Sequence, residues 1–85
     1  MTVNFFGSVI EHTNGERSFE PGPCSSLREL SDALGSRYGE SFAELMLSGA
    51  CFFLVNGKGT AHTGGFDTSL KQGDQIDVLP FVDAG

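Results

Sequence analysis

Basic residues, cysteines and histidines are all scarce in this 85-residue chain, and each shortage closes off a class of function. Five Lys and Arg stand against eleven Asp and Glu, a net charge of -6. The summed field of such a chain repels phosphate backbones and anionic lipid, so neither nucleic acid nor a membrane surface is expected as a partner. Two cysteines, Cys24 and Cys51, are too few to hold an iron–sulfur cluster or to build a disulfide framework. They read as free thiols, Cys51 as a small buried hydrophobe in an apolar run and Cys24 in a loop. The two histidines, His12 in a polar turn and His62 in a Gly-rich stretch, lie far apart with no spaced Cys or carboxylate beside them. Both read as solvated, and no metal site is expected. No apolar run approaches the roughly 18 residues of a membrane span, and Met1-Thr2-Val3-Asn4 lacks the basic start of a signal peptide, so a cytoplasmic location is expected.

Catalytic patterns are missing too. The Gly-rich stretches Gly57-Lys58-Gly59 and Thr63-Gly64-Gly65 match neither G-x-x-x-x-G-K-[ST] nor G-x-G-x-x-G opening a helix, and they read as turns. Ser8 and Ser18 have no spaced His and Asp that would form a triad. Asp74 and Asp77 read as a solvated rim of the last strand. No self-contained active site emerges.

What remains is a foldable domain. With 39% apolar residues and eight Phe, the composition is that of a globular chain rather than an acidic disordered one. A 9.0 kDa chain should bury about 63% of its unfolded surface, enough for one modest core. Val3 to Ile10 is rich in β-branched and aromatic residues and reads as a strand. An Asn14-Gly15 turn and a short run Arg17-Ser18-Phe19-Glu20 then suggest an N-terminal hairpin. Ser26-Leu27-Arg28-Glu29 is an S-x-x-E capping box, so a helix is expected to start there. Leu27, Leu30, Leu34 and Tyr38 place an apolar stripe along it, and Gly39 is its stop. Glu40 to Leu47 carries only a weak helical pattern. Ala50 to Val55 reads as a central strand ended by a tight turn at Asn56-Gly57-Lys58-Gly59, followed by an irregular segment, Thr60 to Asp67. A turn at Lys71-Gln72-Gly73-Asp74 leads into a last strand, Gln75 to Val82. One mixed sheet of four to five strands wrapped over one main helix, an α+β β-grasp (ubiquitin-like) architecture, satisfies this order. It is expected as a single domain over 1–85 with a flexible C-terminal tail, 81–85.

The end of the chain carries the functional signal. Along the last strand Ile76 and Val78 share one face, while Asp77, Leu79 and Phe81 share the other. If the first pair faces the helix, then Leu79, Phe81 and Phe6 form an exposed apolar patch suited to a partner. Beyond Pro80 the chain finishes Phe81-Val82-Asp83-Ala84-Gly85, a thin stalk whose terminal carboxylate could enter a narrow channel.

Val55-Asn56-Gly57, Leu70-Lys71-Gln72-Gly73-Asp74-Gln75-Ile76 and Val78-Leu79-Pro80-Phe81-Val82-Asp83-Ala84-Gly85, together with the opening Val3-Asn4-Phe5-Phe6-Gly7, resemble the ThiS/MoaD family of ubiquitin-like sulfur carriers. The small subunit of molybdopterin synthase is the member it most resembles, over essentially the whole chain. The resemblance implies a chemistry centred on Gly85. An adenylyltransferase of the ubiquitin-activating type would use ATP to adenylate its carboxylate, and a sulfur donor would convert it to a thiocarboxylate. The sulfur would then pass to a precursor held by a large, MoaE-like synthase subunit, in molybdenum or tungsten cofactor synthesis. No cofactor would be bound by the chain itself. The tail departs from the family's Gly-Gly ending: Ala84 adds a Cβ that disfavours positive φ, and Asp83 adds charge beside the reacting carboxylate. Two other readings of such a chain are a non-catalytic protein-binding module and a modifier conjugated through Gly85.

Overall fold

The structure, a computed structural model, describes residues 1–60 and 63–81. Its strands are β1 (Thr2–Phe5), β2 (Ser18–Phe19), β3 (Cys51–Val55), β4 (Lys58–Gly59) and β5 (Gln75–Pro80), and its helices are α1 (Leu27–Tyr38) and α2 (Glu40–Leu47). They form one sheet in the order β2-β1-β5-β3-β4. β1 runs parallel to β5, and the other pairs are antiparallel. This mixed five-stranded sheet under a helical layer is the expected β-grasp. Val3, Phe5, Phe53, Ile76 and Val78 from the sheet meet Leu27, Leu30 and Leu34 from α1 and Phe42 from α2 in one core.

Helix α1 starts where the capping box places it. Ser26 Oγ accepts the Glu29 backbone N–H at 3.2 Å. The Glu29 carboxylate, however, reaches one residue further back than the motif predicts, accepting the Ser25 N–H at 3.2 Å and hydroxyl at 2.6 Å. Those two donors hold the carboxyl below its ordinary pKa. Gly39 caps the far end through its N–H to the Gly35 carbonyl.

Three elements differ from expectation. The first strand does not run to Ile10: it stops at Phe5, and Gly7–His12 forms a 3₁₀ helix. Gly7 adopts φ +57, which turns the chain out of the extended conformation. The helical turn buries Val9 completely, so the apolar residues of this segment reach the core without a strand. His12 closes this helical turn, and its Nδ1 is hydrogen-bonded to Ser41 Oγ in a contact exposed to solvent. Second, β2 does pair with β1, but across this long connection rather than a tight hairpin. Third, Glu40 to Leu47 is a full helix, because Phe42 packs edge-on to Phe5 (5.9 Å) and against Tyr38 (5.6 Å).

The segment read as a turn after β3 is a two-residue hairpin. Asn56 (φ +52) and Gly57 (φ +84) make the left-handed pair that such a loop requires, and Lys58 and Gly59 pair back onto Val55 and Leu54 as β4. β5, not β3, is the middle strand of the sheet.

Candidate functional site

The outer face of the sheet divides into a polar half and an apolar half. β5 alternates as expected, with Ile76 and Val78 fully buried and Asp77 and Leu79 on the outer side. At the start of β5 the outer face is held by Asn4, whose Nδ2 donates to Gln75 Oε1 and Asp77 Oδ1, both at 3.1 Å. Toward the end of β5 the character changes. Leu79 stands opposite Phe52 of β3, and the Phe52 and Phe81 rings meet edge to face at 5.8 Å. Phe81 is 67% exposed and Phe6 is 44% exposed. Phe6 follows β1 with extended backbone (φ -129, ψ 153) and donates its N–H to the Val78 carbonyl at 3.1 Å, which continues the outward parity of Asn4.

The structure thus brings Phe6, Leu79 and Phe81 to one face, as the alternation predicts, and adds Phe52, with Leu54 next along β3. The sequence does alternate through Cys51-Phe52-Phe53-Leu54-Val55, but a uniformly apolar run does not say which parity faces out. The pairing with β5 decides it. Asp83, Ala84 and Gly85, the tail residues of the expected chemistry, lie outside the described residues, as do Val82 and His62. The root of the tail is described: the Phe81 N–H donates to the Ala50 carbonyl at 2.8 Å, which ties the chain to the head of β3 immediately after Pro80.

The turn before β5 is built by a buried carboxylate. Asp74 is not the solvated acid that its sequence context suggests; only 8% of it is exposed. Its Oδ1 accepts Asn56 Nδ2 at 3.0 Å and its Oδ2 accepts the Lys71 N–H at 2.9 Å, and these bonds, the Asn56 one foremost, lower its pKa. Asn56 also closes onto β5, accepting the Gln75 N–H at 2.9 Å and donating its own N–H to the Gln75 carbonyl at 2.7 Å. The Val-Asn-Gly and Leu-x-x-Gly-Asp stretches are therefore two halves of one clamp that sets the start of β5 and hence the register of its outer face.

Neither thiol is prepared for nucleophilic work. Burial pushes Cys51 up to about 11, and burial followed by the nearby Glu29 carboxylate raises Cys24. Both are free, and among the described residues no group of His, Cys, Asp and Glu could hold a metal ion. Among those residues, too, no helix is long and apolar enough to cross a membrane.

A mixed β-grasp sheet with an apolar outer face at the end of β5 defines a protein of the ubiquitin-like class. The ThiS family model matches residues 3–85, and the chain belongs to that family. It is 30% identical to a chain of the complex of subunits 1 and 2 of molybdopterin-converting factor from Helicobacter pylori, covering 99% of this chain and 96% of that one with a TM-score of 0.68. It is 28% identical to a chain of the Amycolatopsis orientalis BexX/CysO complex, covering 99% and 98% with a TM-score of 0.82. Urm1 from Trypanosoma brucei, 21% identical over 99% of this chain and 93% of that one, shares the fold with a TM-score of 0.78. No curated protein matches the chain in sequence.

Proposed function

We propose that this protein is a sulfur carrier that works through the carboxylate of Gly85. The observation that supports the reading most is the position of the apolar patch, at the point where β5 hands the chain to its last residues. Gly85 lies four positions beyond Phe81, a reach of at most about 14 Å. A partner seated on Phe6, Phe52, Leu79 and Phe81 is therefore within reach of the carboxylate with its own active site.

The chemistry must come from partners, since an ionised carboxylate is a poor electrophile. In an adenylyltransferase, a Gly85 oxygen attacks the α-phosphorus of ATP and pyrophosphate leaves, giving an acyl adenylate. Sulfide supplied by a donor then attacks the acyl carbon, the carbon–oxygen bond to AMP breaks, and a thiocarboxylate remains. That sulfur is handed to a precursor bound by a large synthase subunit. The likeness to the Helicobacter pylori subunit pair supports molybdopterin synthesis as the destination. Ala84 then has to pass the same constriction as Gly85, so the cognate activating site is wider at that step than one built for Gly-Gly.

Intact-mass measurement of the protein purified from its own host tests this. A mass increment equal to exchanging one Gly85 oxygen for sulfur is expected. A carboxylate that stays unmodified after incubation with ATP, the cognate activating enzyme and a sulfur donor overturns the carrier reading in favour of a non-covalent docking module.

A further inference from the structure

A second surface lies on the helical layer. Between α1 and α2 runs a groove of about 650 Å³. Its floor is formed by Gly35 and Ala43, and its far end by Leu47 and Phe66. Leu47 is 85% exposed, the most exposed large apolar side chain among the described residues. Ala43 and Leu47 stand one helical turn apart on α2, turned away from the Phe42 side that fills the core.

Gly35 is the informative residue. A glycine inside a helix weakens it relative to alanine, and the packing of this protein does not require one here. A Cβ built at Gly35 meets only the Ala43 Cβ, at 3.9 Å, an ordinary contact. The fold gives up helix stability at this position and gains nothing inside the molecule, while the groove keeps an open floor.

The charges at the rim indicate the occupant. Arg28 is already neutralised by Asp67 at 2.9 Å and covers the Phe66 ring, whereas Asp32 and Glu40, also exposed, form no ion pair among the described residues. A second copy of this chain, also at net charge -6, would add negative charge to a rim that already carries it. We propose that the α1–α2 groove is a docking surface for a helix of a partner protein, one that lays apolar side chains over Gly35, Ala43 and Leu47 and places Lys or Arg against Asp32 and Glu40. This does not depend on the carrier reading. The groove borders the outer sheet face at one end only, where Met46 and Phe66 also line a shallow pocket with Phe52.

The test is a titration of the full isotope-labelled chain, followed by amide NMR, with a capped helical peptide of Ala, Leu and Lys bearing Leu at every third or fourth position. Shifts are expected at Gly35, Ala43, Leu47 and Phe66 and not at Phe52 or Phe81, with affinity at least about fivefold weaker when Glu replaces Lys, the factor two exposed ion pairs provide. Gly35→Leu, which fills the floor without breaking the helix, should abolish the shifts while the melting temperature holds or rises, as expected for removing a helical glycine. Asp32→Lys with Glu40→Lys, a purely surface change, should reverse the preference between the two peptides. Shifts centred on Phe52 and Phe81, equal binding of the Glu peptide, or undiminished binding by Gly35→Leu each overturns the proposal. So does movement of the groove signals with the protein's own concentration, which would assign the face to a second copy.

Discussion

Asp74 shows how one side chain sets the geometry of a surface it does not touch. Both of its oxygens accept, one from Asn56 and one from Lys71. An amide in its place can accept on one side only and points a donor at a donor on the other. Asp74→Asn should therefore cost roughly 1–3 kcal/mol, the penalty of a buried hydrogen-bonding group left unmade, read as a shift of the urea midpoint at constant slope. Phe81 is the opposite case. It is two-thirds exposed, so Phe81→Asp should leave the melting temperature nearly unchanged while removing binding to the activating partner in a pull-down with the purified proteins. A large drop in melting temperature would instead place the ring in the core. Sequence alone gave the right face for Phe81 through simple alternation. It gave the wrong environment for Asp74, because burial of that acid depends on Asn56, 18 positions away in the chain.

At the scale of elements, legibility followed the strength of local signals. α1 carries a cap, a stripe and a stop, all of them local, and all three are in place. α2 has no side-chain cap and begins at the same Gly39 that ends α1, so its pattern looks weak; what holds it is Phe42, wedged against Phe5 and Tyr38. Phe42→Ala should cost about 3–5 kcal/mol, a large share of the stability of a domain this size, and amides of α2 should then lose their protection against hydrogen exchange before those of α1. The 3₁₀ helix after β1 was hidden for a related reason. Its residues are as β-branched and aromatic as a strand, and only the backbone turn at Gly7 redirects them. The apolar outer face was half legible: its β5 side follows from parity, whereas Phe52 needs the long-range register of β3 against β5.

For the molecule as a whole, the acids that matter to stability are the minority held by hydrogen bonds. Glu16 accepts the Tyr38 hydroxyl at 2.7 Å and a forked contact from Arg37, which in turn lies 4.4 Å over the Phe19 ring. The Tyr38 bond first, and then Arg37, lower the Glu16 pKa, as Asn56 and Lys71 lower that of Asp74. A carboxyl with a depressed folded-state pKa stabilises the fold above its unfolded value of about 4 and loses that contribution as pH falls through the folded value. Thermal melts should therefore be level from about pH 7 to about pH 5 and fall steeply below about pH 4. Glu16→Gln with Asp74→Asn should lower the plateau and flatten the fall; an unchanged acid limb would mean these two groups are not its source.

The parallel pairing of β1 with β5 places Met1 and Pro80 at opposite ends of one ladder, bounded by the bonds Thr2 N–H to Asp74 carbonyl and Phe6 N–H to Val78 carbonyl, each 3.1 Å. Tension applied between Met1 and Pro80 thus loads the whole ladder in shear, every bond at once, rather than opening it from one end. Pulled across Asn56 and Asp74 instead, β3 peels from β5 bond by bond. In a single-molecule stretching experiment the first geometry should yield at clearly higher force than the second. A machine that draws in the carboxyl end meets this domain along its stiffest direction.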